Sequence, residues 1–228
     1  MPKPDFSFEK RYWKKGYKIV IGVDEVGRGS FAGPVVVGAA AIKIPKQLKL
    51  PKILSFVSDL GINDSKKLSP LKRVKLVPAI RKYFYWGIGQ SSVATINRLG
   101  IVKATEKAMR YAISCLFSKL PKSLRQLNGK TFVLVDAFHV KYIPGIGLKR
   151  QKAIVKGDGK SISIAAASIL AKVHRDRLMS KLGAQYKKYH WNTNKGYGTT
   201  EHREAIRKFG ITRLHRRLYV KNYFIRPS

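Results

Sequence analysis

Two residue types are scarce in this chain, and their scarcity limits what the protein can be. Its 228 residues include one cysteine, Cys115, and only 12 acidic residues. A single cysteine excludes an internal disulfide framework and fits a reducing compartment. No apolar run approaches the ~20 residues that cross a bilayer, and the N-terminal segment lacks the apolar stretch of a signal peptide. We therefore expect a monomeric, cytoplasmic protein with no membrane segment.

Basic residues are abundant instead. Lysine and arginine number 47, so the formal net charge is +35 and the sequence pI is about 10.5. Such a charge favours a polyanionic partner. Nucleic acid is the first candidate, an anionic membrane surface the second, and a ribosome-like structural role the third. The apolar fraction of 44% is ordinary for a folded protein, and the length suits one substantial core.

Apolar runs and helical periodicity alternate along the chain, which predicts one α/β domain with a mixed sheet. Residues 45–61 are punctuated by proline and lysine and suggest a surface excursion, and residues 121–130 suggest a loop. Ser69 and Pro70 form a typical helix start, and one or two helices are expected over 94–120. Further helices are expected over 161–182 and 201–209. The predicted strands cover residues 18–24, 34–43, 83–93, 131–135 and 153–155.

Four of the 12 acids fall at the ends of predicted strands or just beyond them. Asp24 and Glu25 are adjacent at the end of the first strand, and Asp136 and Asp158 follow two later strands. Active sites of open α/β sheets gather at such edges, and carboxylate oxygens are the ligands that Mg²⁺ and Mn²⁺ prefer. The set predicts a site for two such ions that could hydrolyse a phosphodiester. The histidines and the cysteine show no zinc-ligand spacing.

Each acid also has a purely structural explanation. Asp24 and Glu25 could form salt bridges with a local arginine, whereas Asp136 and Asp158 could be ordinary turn or cap residues. The prediction of a metal site therefore depends on the four acids as a set.

Two further acids are interpreted as structural. Asp176 lies in a predicted helix and is expected to pair with Arg175 or Arg177. Asp64 is expected to make local turn or capping bonds.

Seven motifs stand in order between about residues 18 and 210. They are DEVGRG (24–29), AGP (32–34), NDSKKLS (63–69), LVDA (134–137), KGD (156–158), AAASILAKVHRDR (165–177) and NKGYGT (194–199). In order and spacing they resemble the motifs of one known family, ribonuclease HII. The resemblance implies a ribonuclease H-like fold, with a five-stranded mixed sheet flanked by helices and a C-terminal helical extension. Residues 1–17 would be a basic lead-in segment, and residues 211–228 a basic and aromatic tail packed on or extending the domain.

The same resemblance assigns roles to residues. The loop Gly27, Arg28 and Gly29 would read the ribose 2′-hydroxyl through its backbone, and Tyr197 would stack on the sugar after the scissile junction. A 2′-hydroxyl is what distinguishes RNA from DNA, and glycines allow close backbone approach. Alone, Tyr197 could simply be a packing residue. The metal-binding and catalytic carboxylates would be Asp24, Glu25, Asp136 and Asp158.

The chain departs from the family pattern at three positions. Ala137 stands where glycine usually follows the third carboxylate, Ser30 replaces a common proline, and His174 stands where threonine is frequent. None of these changes removes a ligand. Arg28 and the short lead-in favour this family over its sister type, ribonuclease HIII.

Basic residues near these motifs are candidates for phosphate contacts, which position a duplex without reading its sequence. Most basic residues of such a chain simply form a solvated face. The better candidates are embedded in motifs: Lys66, Lys67, Lys156 and Lys195. The wider set adds Lys172, Arg175, His215, Arg216 and Arg217.

The resulting prediction is a Mg²⁺- or Mn²⁺-dependent endonuclease. It would cleave the RNA strand of RNA/DNA hybrids and nick duplex DNA on the 5′ side of embedded ribonucleotides, leaving 5′-phosphate and 3′-hydroxyl ends. One alternative is a catalytically idle nucleic-acid-binding protein of the same fold. Another is a basic ribosome-associated or architectural protein with no metal dependence.

Overall fold

A computed structural model describes residues 3–44 and 50–225, and it confirms the predicted five-stranded mixed sheet. The strands lie in the order β3-β2-β1-β4-β5. β1 pairs antiparallel with β2 and parallel with β4; β2–β3 is antiparallel, and β4–β5 is parallel. The strands are β1 (Ile19–Val26), β2 (Val35–Ile42), β3 (Phe84–Ser91), β4 (Thr131–Asp136) and β5 (Gln151–Ile154).

Helices surround this sheet. The predicted helix start is confirmed, because the Ser69 side chain accepts a hydrogen bond from the backbone N–H of Lys72. The expectation of one or two helices over 94–120 is met by a helix broken at Gly100, which has a positive φ of 76°. The helices are α1 (Ser7–Lys14), α2 (Leu50–Asp59), α3 (Pro70–Tyr83), α4 (Val93–Ser118), α5 (Lys122–Arg125), α6 (Ile162–Gln185), α7 (Trp191–Asn194), α8 (Thr200–Phe209) and α9 (Arg217–Ile225).

Two segments differ from their predictions. The prediction of a surface excursion at 45–61 is wrong for residues 50–59, because they form α2, which buries Ile53, Leu54 and Val57 against the core. These apolar residues share one helical face, and Pro51 sits in the first turn, where proline is tolerated. The part at 45–49 lies outside the described residues. The expected loop at 121–130 contains the short helix α5.

The sheet separates two apolar layers because successive side chains of a strand point to opposite faces. Ile21 and Val23 of β1 pack in the same cluster as α4. On the other face α6 lies unusually close, since a Cβ added to Gly38 would stand only 2.1 Å from the carbonyl oxygen of Ala167. Asp24 therefore projects on the α6 face, and its neighbour Glu25 projects on the α4 face.

Segments near both ends of the described chain pack on the domain. In α1, the fully buried Glu9 accepts hydrogen bonds from the Ser161 hydroxyl (2.6 Å) and the Ser163 backbone N–H (2.9 Å). Near the other end, Val220 of α9 is buried in a cluster with Trp191. The division at residues 17 and 210 stays a prediction. Over the described part of the chain, no helix is long and apolar enough to cross a bilayer.

Candidate active site

Three of the four predicted carboxylates meet at one edge of the sheet. Asp24 lies near the end of β1, Asp136 is the last residue of β4, and Asp158 lies in the 3-10 turn Gly157–Gly159 that follows β5. One carboxylate oxygen from each lies within 4.8 Å of the others. The parallel pairing of β1, β4 and β5 brings their carboxyl ends to the same edge.

Glu25 does not join this cluster. Because it follows Asp24 directly in a strand, its side chain leaves the opposite face. There its Oε1 lies 3.4 Å from Nη1 of Arg28, whose guanidinium also lies 4.9 Å from the ring centre of Phe138. The salt-bridge explanation considered for this residue is thus realised in the structure, and its predicted metal-binding role stays a prediction.

The cluster is electrostatically unfavourable as it stands. Burial, followed by the charges of Glu25, Asp136 and Asp158, raises the pKa of Asp24 well above its usual range. Burial, followed by Asp64 and Asp136, raises the pKa of Asp158 to about 6. Burial also raises the pKa of Glu25, although Arg28 opposes that shift. Carboxylates held together without a counter-ion disfavour their charged forms in this way.

One cation and one further acid accompany the cluster. Burial lowers the pKa of Lys66, but the charges of Asp158, Asp24 and neighbouring acids outweigh it, so the net shift is upward. Asp64 caps the turn Ser65–Lys67 by accepting from the Lys66 backbone N–H at 2.8 Å. The predicted capping role is confirmed, but Asp64 also interacts with Asp158. We did not predict from the sequence that Asp64 lies near Asp158, although Asp64 belongs to the same NDSKKLS motif as Lys66.

These residues fit a divalent cation. The donor set consists only of carboxylate oxygens, which suits Mg²⁺ and Mn²⁺ better than softer metals. A bound cation would also relieve the repulsion that raises the pKa values of Asp24 and Asp158. Asp24, Asp136 and Asp158 are therefore the residues that would hold it.

The predicted sugar-reading loop continues directly from β1. We call residues 27–34 the recognition loop. Gly27 adopts a φ of +87°, which favours glycine, and no atom lies within 4 Å of a Cβ built on Gly29. The backbone at Gly29 is thus open to an approaching sugar.

Tyr197 lies beside the recognition loop. The backbone N–H groups of Phe31 and Ala32 donate to the carbonyl of Gly196, at 2.8 and 3.1 Å. A ring nitrogen of the buried His202 lies 2.9 Å from the Tyr197 carbonyl oxygen. The ring of Tyr197 is half-buried. The structure thus brings together the two parts that the resemblance assigns to sugar recognition.

The four motif lysines divide into two groups. Lys66, Lys67 and Lys156 are exposed near the carboxylates or their flanking turns, and Lys156 has a left-handed backbone. The Lys195 ammonium donates instead to the Ser180 hydroxyl and the Asn192 carbonyl. Its side chain therefore ties two helices together, and its predicted phosphate contact stays untested.

Several other basic residues are placed differently from expectation. Arg175, His215 and Arg216 were candidates for phosphate contacts, but all three are buried, at 0%, 1% and 0% exposure. Side chains without solvent access cannot touch a phosphate from outside. They are engaged with backbone and side-chain groups of the protein instead.

The expected partners of Asp176 are also wrong. Its carboxylate lies 2.8 Å from Nζ of Lys172 and 3.9 Å from Nη2 of Arg73. Residues four apart on a helix share a face, whereas adjacent residues diverge by ~100°. Arg73 comes from α3, a tertiary contact that helical spacing alone does not reveal.

The fold defines the class of protein. Ribonuclease H2 from Pyrococcus horikoshii superposes with a TM-score of 0.63, at 24% identity, over 91% of this chain and 100% of that chain. A structure of Bst-RNase HIII in complex with Mn²⁺ superposes with a TM-score of 0.66, at 22% identity, over 90% of this chain and 69% of that one. Both likenesses establish a ribonuclease H-type fold, as predicted.

Sequence comparison narrows the class. A sequence model of the family described as ribonuclease HII matches residues 21–226. Ribonuclease HII of Caldanaerobacter subterraneus subsp. tengcongensis is 43% identical over 215 residues, which cover 94% of this chain and 79% of that protein. The chain belongs to the ribonuclease HII family, which consists of metal-dependent endonucleases.

Proposed function

We propose that this protein hydrolyses the RNA strand of RNA/DNA hybrids and nicks duplex DNA on the 5′ side of single embedded ribonucleotides. The observation that carries the proposal is the adjacency of two sites. The carboxylate cluster of Asp24, Asp136 and Asp158 lies at the end of β1, and the recognition loop begins directly after that strand. A phosphodiester at the cluster would thus have its sugar beside the loop.

Asp24, Asp136 and Asp158 would hold divalent ions, and Glu25, whose charge raises the pKa of Asp24, would join them through its buried Oε2, for which the described residues offer no hydrogen-bond partner. Bound ions would supply an activated water and neutralise charge on the leaving oxygen, giving 5′-phosphate and 3′-hydroxyl ends. The protein would orient the linkage and select the sugar. The open backbone at Gly29 suits a hydrogen bond to a 2′-hydroxyl, and the neighbouring Arg28 is anchored by Glu25 and Phe138. No covalent intermediate is needed.

Substrate grip would come from exposed cations and one aromatic ring. Lys66 is the best candidate for contact with the scissile phosphate, because it lies close enough to the clustered acids for their charges to raise its pKa. Tyr197 would pack on the deoxyribose beyond the junction, where an added hydroxyl would crowd it. Lys67 and Lys156 would contact phosphates farther along the duplex, which positions it without reading sequence.

The test is cleavage of a labelled duplex that contains one ribonucleotide, with and without Mg²⁺ or Mn²⁺. We expect a metal-dependent nick on the 5′ side of the ribonucleotide, with a 3′-hydroxyl end that a DNA polymerase extends. An all-DNA duplex of the same sequence should stay intact. Binding of the duplex without any cleavage would contradict the proposal and favour the idle nucleic-acid-binding alternative.

A further inference from the structure

Ribose selection, which is part of the proposed function, requires that the recognition loop and Tyr197 keep a fixed relative position. The two are far apart in the sequence, because the recognition loop precedes β2 whereas Tyr197 follows α6. Direct backbone bonds from Phe31 and Ala32 to Gly196 join them. These bonds alone would leave the rest of the loop free to pivot, so its other anchors matter.

One buried guanidinium holds both parts at once. Arg175 of α6 donates from Nη1 to the Lys195 carbonyl at 2.9 Å, two residues before Tyr197. Its other nitrogens donate to the recognition loop. Those acceptors are the Pro34 carbonyl (3.0 Å from Nε), the Ser30 hydroxyl (2.9 Å from Nη2) and the Ala32 carbonyl (3.1 Å from Nη2).

Arg175 also fills the space beneath the site. A Cβ added to Gly27 would lie 2.2 Å from its Nε, so the loop backbone rests directly on the side chain. The guanidinium carbon lies 5.4 Å from the ring centre of Tyr197. The same planar group therefore supports the loop from below and the ring from one side.

A second buried guanidinium fixes the remainder of the loop. Arg216 donates to the carbonyl of Arg28 at 2.7 Å and, through two nitrogens, to the carbonyl of Gly33 at 3.1 and 2.9 Å. Over the described ranges, neither Arg175 nor Arg216 forms a salt bridge with a carboxylate. Burial of two cations that are paired only with neutral acceptors costs free energy of folding. In return, their hydrogen bonds fix the geometry of the recognition loop.

We propose that Arg175 is the positioning residue that sets the recognition loop against Tyr197, and that ribonucleotide–DNA junction specificity depends on it. The planar fork of five donors satisfies acceptors in several directions, which a lysine ammonium on a flexible stem cannot reproduce. Arg216 completes the same frame from the C-terminal segment.

Ser30 adds a side-chain acceptor to this frame. Its hydroxyl accepts from Arg175, and its side chain is fully buried. A side chain without an acceptor at this position would leave Nη2 of Arg175 with the Ala32 carbonyl as its acceptor in the loop. Ser30 therefore strengthens the same anchor.

The experiment compares Arg175→Lys with Arg177→Lys, a matched exposed arginine two residues along the same helix. Two substrates are used: a duplex with one ribonucleotide, where Tyr197 faces a deoxyribose, and a continuous RNA/DNA hybrid, where it does not. The readout is the ratio of kcat/KM on the first to kcat/KM on the second, because general loosening of the fold lowers both equally. Mn²⁺ affinity, measured by calorimetry, reports on the carboxylates independently.

We expect Arg175→Lys to lower the ratio by about 10- to 100-fold, since small misplacements at a reacting centre cost that much, while Mn²⁺ affinity and the Arg177→Lys ratio stay unchanged. An unchanged ratio, or equal loss on both substrates, would overturn the inference. If Arg175→Lys does not fold, Ser30→Ala provides the test. This variant removes one acceptor of Arg175 and should also lower the ratio of the two kcat/KM values. Failure of the wild type to nick would instead refute the proposed function.

Discussion

The carboxylate cluster and the pair Arg175 and Arg216 are both groups of largely buried like charges, but their hydrogen bonding differs. The carboxylates accept few hydrogen bonds, chiefly from Glu25 N–H to Asp24 and Gly157 N–H to Asp136, both at 2.7 Å. The guanidiniums instead have backbone carbonyls on most of their nitrogens.

This difference separates a ligand site from a structural anchor. Acids that accept few hydrogen bonds and have raised pKa values would be stabilised by a bound cation from solution. Burial, followed by the charge of Arg175, lowers the pKa of Arg216 to about 10, so Arg216 stays charged at neutral pH. It is satisfied by the fold and needs no ligand.

Removing one ligand charge should have the largest effect. Replacing the partner of a metal ligand typically costs ~10–100-fold, so Asp24→Asn, which alters a ligand itself, should lower kcat by more than about 100-fold. Duplex affinity should be kept or increased, because a negative charge facing phosphates is lost. Single-turnover cleavage and equilibrium binding measure the two quantities, and near-full activity of the variant would refute the metal-site assignment.

A divalent cation should stabilise the fold. Ligand that binds only the native state at 100 times its Kd adds about 2.7 kcal/mol, so Mn²⁺ should raise the melting temperature of the wild type. Asp136→Asn should lose most of this increase, whereas Asp59→Asn on α2 should keep it. A metal-independent melting temperature would mean that the cluster is not a cation site.

Truncating the aromatic ring should have a moderate effect. Stacking of an aromatic side chain on a base contributes about 1–3 kcal/mol, and we expect packing on a sugar to lie at the lower end of that range. Tyr197→Ala should therefore slow junction cleavage roughly 10-fold. Tyr197→Phe should keep near-normal rates, because the ring and not the hydroxyl makes the contact. Equal loss in both variants would show that the hydroxyl is what matters.

Glu9 offers a buried acid with no metal function, and its effect should be the smallest. Burial raises the pKa of Glu9, although bonds from Ser161 and Ser163 oppose the shift. A raised pKa in the folded state stabilises the protein below the unfolded pKa of about 4.5, and this contribution disappears as pH rises through the folded pKa.

Glu9→Gln, which stays neutral, should therefore raise the free energy of unfolding at pH 7 by about 1 kcal/mol, the typical size of a point-mutation effect. The two proteins should converge below pH 4. Urea unfolding at both pH values measures this, and a variant less stable than the wild type at pH 7 would contradict the burial argument.

Much of the fold and the core of the site could be predicted, because they depend on local order. Asp24, Asp136 and Asp158 follow strands whose carboxyl ends meet, and strand endings are visible as apolar runs. The placement of Glu25 on the other face also follows from strand alternation, although adjacency to Asp24 suggested a shared role.

The buried arginines could not be predicted, because their partners are remote. The Arg175–Pro34 bond spans 141 residues and the Arg216–Gly33 bonds span 183. In a chain with 47 basic residues, nothing local distinguishes two buried cations from the many exposed ones. The ion pair between Arg73 and Asp176 escaped prediction for the same reason.

We infer that the acids provide the chemistry while the recognition loop selects the sugar. The most direct test of this inference is a competition in one reaction, with Mg²⁺, between two duplexes identical except for one nucleotide. That nucleotide carries a 2′-hydroxyl in one duplex and a 2′-O-methyl group in the other. We predict cleavage of the 2′-hydroxyl duplex alone, on the 5′ side of the ribonucleotide. Comparable cleavage of both duplexes, or no cleavage with metal present, would contradict this division of roles.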